Sequence, residues 1–206
     1  MAKLTITTFL TLDGVMQAPG GPSEDPSGGF AHGGWLVPHV DEGMMEFMAS
    51  VFERAGAFLL GRFTYDTFAA HWPRVTDPND PVATKLNALP KYMVSNTPQK
   101  LSWHNATQLT GDLNRTIAAI KGTTHKELQV HGSAGLAQTL IQHDLIDEYN
   151  LLTFPVVLGT GKRLFGTGAM PATMKLLSQR TTKNGISIAT YARAGALQTG
   201  SFALDA

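Results

Sequence analysis

The order of strand-like and helix-like segments restricts the fold of this chain more than any other feature. Over the first two-thirds, short runs rich in β-branched and aromatic residues alternate with segments of helical spacing. The last third is mostly strand-like, and Asn184-Gly185 between two alternating runs indicates a β-hairpin. The pattern predicts an α/β fold with a mainly parallel sheet, an antiparallel edge and helices on both faces. Strands are predicted at 3–10, 57–60, 91–94, 127–131, 148–154, 173–180 and 186–193, and helices beginning near 41, 64, 112 and 134.

Composition excludes several classes of protein. Hydrophobic residues make up 43% of the 206 residues and no internal boundary is visible, so we expect a single folded domain over 1–206. Sixteen basic residues balance sixteen acidic ones, which argues against nucleic acid or an anionic membrane as a partner. No apolar run is long enough to span a bilayer, and we expect a cytoplasmic protein. The absence of cysteine and of regularly spaced His and carboxylate residues predicts no metal site.

Three predicted strand ends carry residues suited to binding an anion. The first is Gly132-Ser133-Ala134-Gly135-Leu136, where Ser133 is expected to cap a helix whose free amides face a phosphate. An equally good alternative for this segment is a tight strand-to-helix turn. The second is Gly61-Arg62-Phe63-Thr64, with Thr64 as the expected helix cap and Arg62 able to make a forked phosphate contact. The third is Ser95-Asn96-Thr97, which also suits a simple turn.

These segments, together with Thr11-Leu12-Asp13-Gly14 and the stretch from Phe154 to Gly161, resemble the motifs of the dihydrofolate reductase-like superfamily. The resemblance is to the branch that contains the riboflavin-pathway pyrimidine reductase domain and its stand-alone relatives. It implies a dihydrofolate reductase-like three-layer fold with about eight strands, NADPH as cofactor and a homodimer. It further implies hydride transfer to a small-molecule substrate, either pterin-like or a ribosylamino-pyrimidine. The alternative is a non-catalytic nucleotide-binding or ligand-sensing protein of the same fold.

The resemblance also implies roles for individual residues. Arg62, Ser95 and Asn96 would surround the adenosine 2′-phosphate of NADPH. The pyrophosphate would lie on the amides of Thr64 and of Ser133, Ala134, Gly135 and Leu136, in segments opened by Gly61 and Gly132. Gly14 and Trp35 would flank the nicotinamide, with the Gly- and Pro-rich loop from Asp13 to Gly34 closing over it as a lid.

Three residues are candidates for catalysis. Asp13 follows the first strand and opens the predicted lid, although an Asp-Gly pair is also an ordinary turn former. Glu46 is one of three acids, with Asp41 and Glu42, on the helix that carries the substrate-facing acid in dihydrofolate reductases. His131 occupies a position where riboflavin-type domains often have an acid, and an imidazole with a pKa near neutral could relay a proton.

Overall fold

The computed structural model describes residues 1–167 and 169–203. Strands and helices are interspersed over the first two-thirds of the chain, and the last two strands form an antiparallel hairpin, as the sequence pattern predicts. The strands are β1 (Leu4–Leu10), β2 (Ala55–Gly61), β3 (Lys91–Val94), β4 (Ala106–Leu109), β5 (Glu127–His131), β6 (Glu148–Thr153), β7 (Ala172–Thr181) and β8 (Ser187–Ala196). The helices are α1 (Glu42–Glu53), α2 (Arg62–His71), α3 (Pro81–Ala88), α4 (Leu113–Thr123) and α5 (Ala134–Gln142).

The eight strands form one sheet in the order β4-β3-β2-β5-β1-β6-β8-β7. The pairs from β4 to β6 are parallel, whereas β6 with β8 and β8 with β7 are antiparallel. One apolar cluster packs α1 and α3 against one face of the sheet, and a second packs α4 and α5 against the other. The predicted mainly parallel sheet with an antiparallel edge and helices on both faces is therefore confirmed.

Two elements and one helix start differ from the sequence-based expectation. The helix α3 and the strand β4 were not expected, because both are too short to show a clear periodic pattern. Asp80 caps α3 by accepting hydrogen bonds from the amides of Val82 and Ala83. The helix α2 begins at Arg62, so Thr64 lies inside its first turn and is not the cap. No helix among residues 1–167 and 169–203 has the length and apolar character needed to cross a membrane.

A buried lysine links α3 to the sheet. Lys91 is the first residue of β3 and has no exposed surface. Its Nζ donates to the carbonyls of Leu86 and Leu89, 2.7 and 2.8 Å away, and lies 4.6 Å from the ring centroid of Trp103. Burial lowers the pKa of this amine to about 8. Lys91 therefore satisfies carbonyls at the end of α3 and holds that helix over the strand.

Candidate cofactor and substrate site

A cavity of about 1280 Å³ lies at the carboxyl ends of the parallel strands. Open α/β sheets bind ligands outside these strand ends. Residues at the ends of five strands line it: Phe9 of β1, Gly61 of β2, Val94 of β3, Leu109 of β4 and His131 of β5. The sheet therefore brings all three predicted anion-binding segments to one cavity.

The starts of α2 and α5 meet at this edge because the strands before them, β2 and β5, are neighbours. Ser133 Oγ accepts a hydrogen bond of 2.9 Å from the amide of Gly61, which ties the two helix starts together. The expected cap of α5 by Ser133 is wrong, because Ser133 has a left-handed backbone with φ +63° and its hydroxyl reaches the neighbouring helix instead. Two helix N-termini, each with free first-turn amides, consequently open side by side on the cavity.

Most of the predicted cofactor residues line the cavity, namely Gly61, Arg62, Thr64, Ser95, Asn96, Gly132, Ser133, Ala134, Gly135 and Leu136. The Arg62 guanidinium lies at the start of α2, with Nε 3.8 Å from a carboxylate oxygen of Asp66. Both side chains are more than half exposed, and such surface ion pairs contribute about 0–1 kcal/mol. Arg62 can therefore exchange this contact for a phosphate at little cost.

Gly14 and Trp35 do not line the cavity, whereas the sequence-based expectation places them beside the nicotinamide. Gly14 forms the tight turn after β1 with φ +79°, and its amide donates to the carbonyl of Thr11. Trp35 is buried, its indole N–H donates to the carbonyl of Gln17 at 2.8 Å, and its ring meets the edge of Phe154. Both residues hold the long loop in place rather than contacting the cavity.

Two of the three catalytic candidates also lie outside the cavity. Glu46 is exposed on α1 between the buried Met44 and Met48 and does not line it. Asp13 accepts hydrogen bonds from the Thr11 hydroxyl at 2.6 Å and from the amides of Leu158 and Gly159. These contacts, the Thr11 hydroxyl first, lower the pKa of Asp13 to about 2. The carboxylate joins the loop after β1 to the segment after β6, which is a structural role.

We expect Asp13→Asn to lower the free energy of unfolding by about 1–2 kcal/mol at pH 7, because the two amides lose a charged acceptor. The folded-state pKa of about 2 lies below the unfolded value of about 3.9. The stabilisation is therefore complete above pH 4 and is lost as the pH falls towards 2. Urea unfolding of both proteins across this range measures the difference. A gap between wild type and variant that stays constant down to pH 2 would contradict the assignment.

His131 does line the cavity, but it does not match the expected proton relay. The residue is 6% exposed, and its ring stacks on Phe52 with centroids 4.6 Å apart and planes 11° from parallel. Burial lowers the pKa of the imidazole to about 4, so the ring is uncharged at neutral pH. The expectation of a pKa near neutral is wrong because the sequence does not show how completely the two rings bury each other.

Sequence reasoning missed the loop side of the cavity. Glu24 lines the cavity, accepts a hydrogen bond of 2.6 Å from the Gly20 amide, and has its pKa raised by burial. Lys162 Nζ donates to Asp25 Oδ2 at 2.6 Å and to Ser27 Oγ at 2.8 Å. Gln17 Nε2 donates to the carbonyls of Asp25 and Ser27. The Lys162 contacts join segments more than 130 residues apart, and the contacts of Glu24 and Gln17 lie within the irregular loop, where no periodic pattern indicates them.

A group of apolar side chains forms the wall of the cavity on the α1 side, in agreement with the interpretation of the α1 methionines as core or pocket lining. We call this region the apolar chamber, and it consists of Leu36, Met44, Met48, Phe52, Trp72 and Leu86. The methionine and phenylalanine positions on α1 predict a buried helix face, and the face is buried. Their spacing does not show that part of the face lines a cavity.

Residues 2–188 match the family model of the RibD C-terminal domain, and the chain belongs to this family. The uncharacterized protein YyaP of Bacillus subtilis (strain 168) is 25% identical over 191 residues, which are 92% of this chain and 94% of that protein.

Solved structures of low sequence identity share the fold. A protein of Shewanella sp. PV-4, described provisionally as a riboflavin biosynthesis protein, has a TM-score of 0.67 at 21% identity, over 94% of this chain and 99% of its own. A pyrimidine reductase-like protein of Corynebacterium diphtheriae has a TM-score of 0.63 at 13% identity, over 94% and 92%. The deaminase/5-amino-6-(5-phosphoribosylamino)uracil reductase of Thermotoga maritima has a TM-score of 0.61 at 10% identity, over 94% of this chain and 57% of that one. These structures show the shared fold, and the match to the RibD C-terminal domain family confirms the expected relationship to the riboflavin-pathway reductase domain.

Proposed function

We propose that this protein is an NADPH-dependent reductase that delivers a hydride to a small conjugated substrate. The observation that carries the proposal is the convergence of two helix N-termini and Arg62 on one cavity that continues into the apolar chamber. An anion-binding end and an apolar end in one continuous space suit a phosphorylated cofactor beside an aromatic substrate. Membership of the RibD C-terminal domain family supports the same function.

The donors at the anion-binding end suit NADPH. The amides in the first turns of α2 and α5 have no earlier carbonyl within their own helices and would hold the pyrophosphate. Gly132 has a left-handed φ of +64°, a conformation that favours glycine and aims the chain from β5 into the start of α5. Arg62, with Ser95 and Asn96 beside it, would hold the 2′-phosphate. The bound cofactor would supply the hydride, and the protein would orient it and exclude water.

A proton donor is needed if the reduced product takes up a proton. Among the residues proposed from the sequence, Asp13 and Glu46 lie outside the cavity and His131 is uncharged at neutral pH. Glu24 lines the cavity and burial raises its pKa, which is the property required of a carboxylic acid that donates a proton. We propose Glu24 for this role in place of the three earlier candidates.

A second candidate function is nucleotide or ligand sensing without turnover. It is favoured by the placement of Asp13 and Glu46 outside the cavity, because the fold then keeps its cofactor site while these two predicted catalytic groups serve elsewhere. The single domain, the homodimer and the cytoplasmic location stay predictions.

Titration of the protein with NADPH, followed by nicotinamide fluorescence, tests the proposal. We expect saturable binding with a dissociation constant in the micromolar range, and oxidation of NADPH when a substrate is added. Dihydrofolate, the riboflavin-pathway pyrimidine intermediate and a set of quinones cover the candidate acceptors. Absence of NADPH binding would rule out the reductase and the role of Arg62 together. Binding without turnover on any acceptor would favour the sensing function.

A further inference from the structure

We infer that the substrate is an uncharged, planar aromatic compound without a phosphate group, which donates one hydrogen bond to Nδ1 of His131. This inference rests on the proposed function, because it treats the apolar chamber as the substrate end of the cavity. The residues of the chamber and of the loop beside it all lie in the part of the chain that the structure describes.

The hydrogen bonds around His131 fix which of its nitrogens carries the proton. Gln129 Nε2 donates to the carbonyl of Val51 at 2.7 Å and to a carboxylate oxygen of Glu127 at 2.8 Å. The amide oxygen of Gln129 is therefore the atom that faces His131, 3.1 Å from Nε2. Because that oxygen can only accept, Nε2 of the neutral imidazole is the donor and Nδ1 is left as an acceptor.

The free nitrogen opens on the cavity. Over residues 1–167 and 169–203, every fully buried side-chain nitrogen or oxygen has a hydrogen-bond partner. Nδ1 of His131 has no partner among those residues, so it must be accessible, and the cavity is the space that His131 lines. The stack on Phe52 keeps the ring from turning. A ligand N–H or O–H is the group that would satisfy this acceptor.

The chamber itself offers nothing to a phosphate. Its walls come largely from α1 and α3, whose charged residues, Glu42, Glu46, Glu53 and Lys85, all lie outside the cavity lining. The chamber side chains are apolar, and Trp72 and Phe52 provide aromatic faces. Placing a phosphate dianion in such surroundings without a cation is strongly unfavourable. A flat aromatic ring suits the same surroundings.

The other two cations that line the cavity each face a carboxylate at a shorter distance than Arg62 does. Lys162 is paired with Asp25, and Arg163 with Asp13. Arg62 has only the long contact with Asp66 and is assigned to the cofactor. On the loop side the cavity is also lined by the carboxyl group of Glu24, which offers no positive charge to a phosphate. The cavity thus has one phosphate-binding end, and a phosphorylated substrate would need a second.

Three naphthalene probes of similar size test the inference by isothermal titration calorimetry at pH 7. They are 2-naphthol with a donor, 2-methoxynaphthalene without one, and 2-naphthyl phosphate with a charge. Each titration is run with and without excess NADP⁺, so that a phosphate bound at the cofactor end is displaced. We expect 2-naphthol to bind about tenfold more tightly than 2-methoxynaphthalene. We expect 2-naphthyl phosphate to show no binding that survives NADP⁺.

The variant His131→Phe should abolish the difference between 2-naphthol and 2-methoxynaphthalene, and the exposed His125→Phe should preserve it. Thermal unfolding of both variants checks that the fold is kept. If a variant does not fold, the comparison of the two probes on the wild-type protein still tests the inference. Equal affinity for 2-naphthol and 2-methoxynaphthalene on wild type, or phosphate binding that persists with NADP⁺, would overturn the inference. The comparison of 2-naphthol with 2-methoxynaphthalene does not depend on nucleotide binding, so its failure overturns the inference whether or not NADPH binds. The phosphate titration is interpreted once the fluorescence titration has shown nucleotide binding, and absence of that binding refutes the proposed function.

Discussion

The variant Arg62→Ala is expected to lose most of the preference for NADPH over NADH, by about 10- to 100-fold in the ratio of dissociation constants. A charge-assisted hydrogen bond to a phosphate contributes about 1.5–3 kcal/mol, which corresponds to this range. NADH lacks the 2′-phosphate, so its affinity should change by less than about twofold. The present contact of Arg62 with Asp66 is long and exposed, so its loss should leave the folded state almost unchanged.

Fluorescence titration of wild type and variant with both nucleotides measures the ratio. Arg74→Ala is the matched control, because Arg74 is an exposed arginine that does not line the cavity. It should keep the wild-type ratio. If Arg62→Ala keeps that ratio as well, the 2′-phosphate is not bound at the start of α2. If both nucleotides weaken equally, Arg62 contacts a part common to both, and the specificity assignment is wrong.

The succession of strands and helices along the chain and the edge of the sheet that carries the proposed anion-binding segments could be predicted from the sequence because their signals are local. A strand followed at once by small residues and a helix, as at Gly61 and Gly132, places the helix N-terminus at the strand's carboxyl end in any parallel sheet. The sequence does not show that β2 and β5 are neighbours. As parallel strands of one sheet, however, both must have their carboxyl ends at the same edge of that sheet. The segments that converge there were therefore found without knowing their contacts.

The parts that sequence reasoning missed depend on contacts between distant segments. Asp13 was a candidate for catalysis because it follows a strand, yet its partners are the amides of Leu158 and Gly159. The protonation of His131 depends on Phe52 and on the amide of Gln129, neither of which has a readable pattern. A lysine that begins a strand, Lys91, gives no sign that it is wholly buried. Such features follow from packing, which a single sequence does not display.

Gly33, in the long loop between β1 and α1, has no room for a side chain. A Cβ atom on Gly33 would lie 2.5 Å from the carbonyl oxygen of Gly21 and 2.7 Å from that of Pro22. Both atoms belong to the backbone and cannot turn away. The neighbouring residues support the cavity wall, since Gly34 donates to the Ala18 carbonyl and Trp35 to that of Gln17.

We expect Gly33→Ala to separate these two loop segments and to lower the free energy of unfolding by about 3 kcal/mol. Hydrogen–deuterium exchange over residues 14–36 should accelerate more than exchange in β1 or β5, because the backbone bonds that join the segments break first. Gly21→Ala is the matched control in the same loop, since a Cβ there meets nothing within 4 Å. Similar stability and exchange in the two variants would show that the loop adapts to the methyl group.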